Sequence, residues 1–354
     1  MKDKKPSVVV PLKTNARHLQ QLFTGLESLA RKGFISLMYE RNVEQHHKAS
    51  VFIKVDNAQI YIDCSDSPDI HKEEYQHCEL YFKRTLRKED RQTLSKLRPF
   101  GLYFEVYPSF RSLMTLRRFL SFSNDGMKGK GKTVVKLLDS DNKLGFMPRE
   151  SAFYSSKKAT GKGQALKVLF YVRLWDPESD KEFEISDIER TDREKINTSR
   201  IKTIRLLKQK FKENALVGVM DDNYSRKVAP DLIVDKSKTS KKQYLSQVNS
   251  ASVCIATTGL HGSIGAKFAE YVALGKAIVT ESFDYVLPGT LDEPGHYLEF
   301  NSPEQCVEKV SQLFDTPNML EQMESMNIRY AQQYMTSEKM VSRIVEEVKL
   351  DTLL

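Results

Sequence analysis

The chain has 354 residues, 40% of them apolar and 29% charged, with a formal net charge of +8. That balance excludes disorder as the default state, and the length exceeds one ordinary core and suits two domains of roughly 150 to 200 residues. No stretch approaches the ~18 apolar residues of a membrane span, the apolar run after the basic start MKDKK is too short for a signal peptide, and Cys64, Cys78, Cys254 and Cys306 lack paired ligand spacing, which argues against structural zinc or a disulfide framework and fits a reducing cytoplasm.

The positive excess lies in the first half: residues 1–150 hold 27 Lys and Arg against 18 Asp and Glu, while the remainder is near balance. Such a half attracts an anionic surface (lipid headgroups, polyanionic glycan, nucleic acid) or is a solvated basic face. Its elements begin with SVVVPL, a strand, then HLQQLFTGLESLARKG, a helix with Leu19, Leu22, Phe23, Leu26 and Leu29 at helical spacing, ended by Gly33. FISLMYE reads as a strand. ASVFIKVDNAQIYIDC reads as a hairpin turning at Asp56-Asn57, and CELYFKR and GLYFEVYPS as further strands. SFRSLMTLRRFLSF sets Phe110, Leu113, Met114 and Leu120 beside Arg111, Arg117 and Arg118; it reads as a core-packed amphipathic helix, with a membrane-surface helix as the alternative.

Residues 126–133, GMKGKGKT, match the spacing of a triphosphate-binding loop. That loop needs a buried strand before it and a helix after it, whereas here the flanks are RRFLSFSND and TVVKLLDSDNKLG, so the segment reads as a cationic surface loop. Order is expected to lapse from Ser123 to Gly163. Beyond it strands and helices alternate: ALKVLFYVRLW, a strand buried on both faces; NTSRIKTIRLLKQKFKE, a helix with cap candidates Asn197 and Thr198; NALVGVM, a strand; SKKQYLSQVNS, a helix; ASVCIAT, a strand; then a glycine loop, SIGAKFAEYVALGK, AIVTE and SPEQCVEKVSQLF. This alternation implies a parallel sheet covered on both faces. The expected domains are 1–158, 159–335 and a helix at 336–354 returning to the first.

The chemistry concentrates in ATTGLHGSIGAKFAEYVALGKAIVTES, residues 256–282. A strand ends at Thr257, a loop with Gly259, Gly262 and Gly265 follows, and a helix is expected from near Ser263, so that its N-terminus offers N–H groups to a diphosphate and Glu270, about two turns in, accepts from a ribose diol. GSIGAKFAEYVALGKAIV resembles the donor segment of two-Rossmann, B-type glycosyltransferases, Glu-Gly-x-Gly-Leu-Pro-x-x-Glu-Ala-x-Ala-x-Gly-x-Pro-Val-Ile, with Gly265, Glu270, Ala273 and Gly275 on the pattern. The resemblance implies an α/β fold of two Rossmann-like domains facing across a cleft, with C-terminal helices packing back on the N-terminal domain. It gives Glu270 the ribose, and places Gly259, Gly262, Ser263, Gly265, Lys267 and Arg200 in the donor set. The family's first glutamate is replaced by Gly262, beside His261, which leaves the sugar identity and the retaining stereochemistry open; His261 is a candidate contact to the transferred sugar.

FYVRLWDPESDKE resembles the family's opening donor strand, in which an arginine and a lysine neutralise the leaving diphosphate; Arg173 fits the arginine and Lys181 fits the lysine loosely. RLWDP, Asn197, Arg200 and GLHGSIGAKFAEY together look like bacterial enzymes of surface-polysaccharide and cell-envelope assembly of the group 1 type. The resemblance spans residues 165–315 and implies a metal-independent reaction without a cofactor, a UDP-sugar or related donor, and a glycan, lipid-linked or polymer acceptor. It also implies a cytoplasmic protein peripheral to the inner membrane face. Asp63, Asp66 and Asp69, just past a strand, are candidates to orient acceptor hydroxyls or act as a base, with Asp66 favoured, or to form turns. Nucleic-acid or polyanion binding is the alternative, and it requires aromatic rings presented on a strand platform.

Overall fold

A computed structural model describes residues 5–12, 17–41, 47, 49–110, 112–122, 147–154, 165–179 and 185–352. The fold is α/β, in two compact units: residues 1–155, 284–290 and 330–354, and residues 156–283 and 291–329. The first unit thus takes in 284–290 and 330–335, which the sequence reading assigned to the second domain; Val286 N–H bonds Leu86 O at 2.8 Å and the Tyr330 hydroxyl bonds Pro288 O at 2.9 Å.

The first unit carries a six-stranded sheet of order β2-β1-β3-β4-β5-β6, formed by β1 (Ser7–Pro11), β2 (Ser36–Glu40), β3 (Ser50–Val55), β4 (Ala58–Asp63), β5 (Leu80–Lys83) and β6 (Leu97–Pro99). β3 runs antiparallel to β1 and β4, because a tight hairpin joins β3 to β4, with Asp56 in the left-handed region at φ 53°. The other neighbours are parallel. The helix Gln20–Arg31 buries Leu22, Phe23, Leu26 and Leu29 and ends as expected at Gly33. There φ is +77°, and Gly33 N–H and Phe34 N–H reach back to Ala30 O and Leu29 O. The helix Ser337–Thr352 packs on it so closely that a Cβ at Gly25 would lie 2.0 Å from Ser337 O.

Two expectations fail in this unit. GLYFEVYPS forms no ladder strand: Gly101 sits at φ +107°, and the polar backbone of the segment is met by side chains, with Phe104 N–H donating to Gln21 Oε1 at 3.2 Å and Thr24 donating to Val106 O at 2.9 Å. Its apolar character reflects burial, not sheet pairing. Within the expected gap at 123–163, residues 147–154 are packed, with Met147, Arg149 and Phe153 buried and Arg149 donating to Pro108 O. Tyr81, Phe82, Tyr103 and Phe104 are buried as well, so they present no ring platform to a nucleobase. GMKGKGKT lies outside the described residues.

The second unit is a five-stranded, wholly parallel sheet of order β11-β10-β9-β7-β8, from β7 (Val168–Val172), β8 (Ala215–Val219), β9 (Val253–Ala256), β10 (Ala277–Glu281) and β11 (Leu298–Phe300). In order of appearance the strands run 2-1-3-4-5, a doubly wound arrangement whose order reverses between β7 and β9. The long helix after β7 is Asp187–Phe211, opened by a capping box of Ser186 and Glu189 rather than by Asn197 and Thr198, ten residues further in. No described helix is long and apolar enough to cross a membrane.

Candidate functional site

In a doubly wound sheet, ligands bind beyond the carboxyl ends of the strands where the order reverses, since the two flanking loops diverge there and leave a crevice. In this chain those loops are the one opened by Arg173, after β7, and residues 257–265, after β9. Arg200, buried in the long helix, holds both: Nη1 donates to Arg173 O at 2.6 Å, Nη2 to Thr258 O at 3.0 Å and Nε to Thr257 Oγ1 at 3.2 Å. Burial pulls its pKa down to about 10. Through these three bonds Arg200 acts as a positioning residue for both loops. Glu281, at the end of β10, fixes the same loop by accepting from Thr258 N–H and Oγ1, each at 2.8 Å.

The glycines in the loop have separate reasons. Gly262 lies at φ +66°, and a Cβ on Gly259 would approach Ser263 Oγ to 2.9 Å where Gly259 N–H bonds Ser263 O. Ser263 and Gly265 are extended, so the helix begins at Ala266 and runs to Ala273, not from Ser263 as expected. Gly265 supplies no side-chain cap, which leaves the first N–H groups without that kind of partner. Glu270 therefore stands about one turn in, roughly 6 Å of rise, instead of two.

Glu270 is 4% exposed. Its Oε1 pairs with Lys241 Nζ, while its Oε2, equally buried, has no hydrogen-bond partner among the described residues. A buried carboxylate oxygen without a donor is costly in a protein interior, so this atom is open to a hydrogen-bond donor that the described residues do not supply. Lys267, in the first turn of the same helix, donates to Tyr171 O in β7, and burial lowers its pKa to about 8. Both lysine ammonium groups lie 5.3 Å from the Tyr244 ring.

Arg173 is exposed, with its guanidinium 5.0 Å over the Trp175 ring. The backbone at Trp175 is clamped by Asn197, whose Oδ1 accepts from Trp175 N–H at 2.9 Å and whose Nδ2 donates to Trp175 O at 2.6 Å. The sequence reading took Asn197 for a cap; its side chain instead shapes the loop that carries Arg173. Arg173, Gly259, Gly262, Ser263, Gly265, Lys267 and Glu270 thus share one end of the second sheet. Sequence reasoning missed Lys241, Glu281 and Trp175, because each acts across the fold from a separate element; only the RLWDP run hinted at Trp175.

The remaining candidates fare differently. The His261 side chain and Lys181 lie outside the described residues. Asp63, in the first unit, is the last residue of β4 and fully buried; Lys83 Nζ donates to it at 2.7 Å and the Tyr81 hydroxyl at 2.8 Å. Burial pushes its carboxyl up, yet the Lys83 charge and hydrogen bonds from Lys83 and Ser65 outweigh this and hold it below the ordinary value, so it is a structural partner and no free base. Asp69 bonds the Ser67 hydroxyl in a turn. Asp66 is half-exposed and paired with Arg84 Nη1. Arg118, of the amphipathic helix Leu113–Phe122, is buried 4.2 Å from the Phe23 ring centroid, so that segment is core-packed at Arg118, while Leu113 remains exposed.

No family model and no curated protein matches the chain. Among solved structures it is similar to a glycosyltransferase from Rickettsia africae ESF-5, at 11% identity and a TM-score of 0.42 over 97% of each chain. It is similar also to the C-terminal domain of a group 1 family glycosyl transferase from Francisella tularensis, at 12% identity and a TM-score of 0.35, covering 52% of this chain and 96% of that one. A third is the UDP-GlcNAc 2-epimerase from Neisseria meningitidis bound to UDP-GlcNAc, at 13% identity and a TM-score of 0.36, covering 78% of this chain and 62% of that one. Likenesses this faint carry no argument about activity, which rests on the residues.

Proposed function

We propose that the chain is a nucleotide-sugar-dependent glycosyltransferase whose second unit binds the donor. The observation that carries this reading is Glu270 Oε2, a buried carboxylate oxygen without a partner among the described residues, one turn behind a helix N-terminus with no side-chain cap at the point where the strand order reverses. The diphosphate of the donor sits on the N–H groups of Ala266 and Lys267, and the ribose diol donates to Glu270. Arg173 and Lys267, with the helix N-terminus, stabilise the charge that develops on the diphosphate as the bond from the sugar C1 to the phosphate oxygen breaks. An acceptor hydroxyl oxygen bonds C1, and its proton leaves to a base or to the departing phosphate. These cations supply the stabilisation without a metal in the donor site.

The donor reading extends to a UDP-sugar and to a glycan, lipid-linked or polymer acceptor in cell-envelope or surface-polysaccharide synthesis at the cytoplasmic membrane face; the family resemblance of residues 165–315 and the basic first half support it. A thermal-shift panel of UDP, GDP, CMP and dTDP sugars tests it. One nucleotide class at about 100 times its dissociation constant stabilises the fold by roughly 2.7 kcal/mol. No shift with any nucleotide at millimolar concentration overturns the proposal.

A further inference from the structure

We infer that His47, His71 and Glu74 form a binding site for a divalent borderline metal ion, Zn²⁺ by the chemistry of its ligands, in the first unit and apart from the donor chemistry. His47 lies just ahead of β3, His71 immediately precedes the helix Lys72–His77 without a side-chain cap bond, and Glu74 stands in the first turn of that helix. One potential ligand atom from each falls within 4.8 Å of the other two. The imidazoles of His47 and His71 stack with centroids 3.9 Å apart and planes 22° from parallel, and His47 Nε2 is 3.1 Å from Glu74 Oε1. Two ligands at ~2.0–2.1 Å from a tetrahedral zinc are about 3.3 Å apart, so the His47–Glu74 separation already matches a shared ion. His47 is the exposed member of the three.

The surroundings prepare His71 for this role. The Tyr61 hydroxyl donates to Ser50 Oγ at 2.7 Å, so at 2.9 Å from His71 Nδ1 its oxygen accepts the ring N–H. Asp63 Oδ2, 3.9 Å from Nδ1, favours the proton on the same nitrogen. His71 Nε2 is then the nitrogen with the lone pair, which is what a metal requires, and a polar group behind a ligating imidazole is the usual support of such sites. Asp63 itself is engaged by Lys83 and is not a ligand. Two imidazoles and one carboxylate leave the fourth position to water or an added ligand.

The test is Zn²⁺ titration of the full chain, free of affinity-tag histidines, in competition with a chromophoric chelator, with Co²⁺ absorption as a report on geometry. One equivalent of Zn²⁺ is expected to bind, and Co²⁺ to give the intense visible bands of a four-coordinate site. His47→Ala and Glu74→Gln, at an exposed residue and as an isosteric change, should each weaken binding by at least about 10-fold with an unaltered circular dichroism spectrum. Tyr61→Phe, which keeps the ring and removes only the oxygen behind His71, should weaken it about 10-fold. Absence of stoichiometric binding by the parent, or parental affinity in both His47→Ala and Glu74→Gln, overturns the assignment.

Discussion

Removal of the Glu270 carboxylate tests the donor site most directly. Because Oε1 is held by Lys241 and Oε2 is buried without a partner among the described residues, the ribose diol of the proposed donor would meet a carboxylate acceptor already desolvated and fixed in place. A hydrogen bond to a charged group contributes about 1.5 to 3 kcal/mol, or roughly 13- to 160-fold in affinity. Glu270→Ala should therefore weaken UDP binding within that range, and Glu270→Gln less, since the amide retains one accepting oxygen. A freed Lys241 ammonium would attract phosphate and mask part of the loss, so the Lys241→Met/Glu270→Gln pair supplies the control. The sharper readout is discrimination: the parent should prefer UDP over 2′-deoxy-UDP, and the preference should collapse in Glu270→Ala. Calorimetric titration of each protein with both nucleotides measures this. Undiminished UDP affinity together with undiminished ribose preference in Glu270→Ala refutes the assignment of this carboxylate.

Arg173→Ala should slow transfer by about 100-fold or more while leaving the circular dichroism spectrum and melting temperature unchanged, since the side chain is exposed and, in the proposed reaction, acts on developing charge. Arg200→Ala should lower stability by at least about 2 kcal/mol in urea unfolding, because Arg173 O and Thr258 O lose a buried donor, and Arg200→Lys should not restore it, since one ammonium cannot reproduce the three-point fork. Lys267 has its pKa lowered by burial from 10.5 to about 8, so between those values the unfolded chain holds more protons than the folded one. Stability should rise with pH across that window relative to Lys267→Met, and be lost as pH falls to about 8. An anionic diphosphate restores the ammonium form, so nucleotide binding above about pH 8 should take up a proton, read as a dependence of calorimetric heat on buffer ionisation enthalpy; its absence counts against contact between Lys267 and the donor.

Periodicity and local chemistry in the amino-acid sequence sufficed for the α/β class, the parallel sheet of the second unit, the β3–β4 hairpin and the position of the glycine loop, because these depend on residues close together in the chain. Glu270, Arg173 and Lys267 come to one end of the second sheet for the same reason: a strand end, a loop and a helix start lie within about fifteen residues of one another, or on one strand. Where the signal was hydrophobic content alone, the reading went astray. GLYFEVYPS is apolar because it is buried, and side chains of a helix eighty residues earlier satisfy its backbone. Only the tertiary structure decided which polar groups are taken. Arg200 is engaged by loop carbonyls, Asp63 by Lys83, and Asn197 by Trp175, so three residues suited to ligands or caps became parts of the scaffold. The pairing of Lys241 with one oxygen of Glu270, and the assembly of His47 with His71 and Glu74, also arise only on folding. Each joins residues more than twenty positions apart, and the energy that brings such groups together is the burial of the cores around them, which no local pattern records.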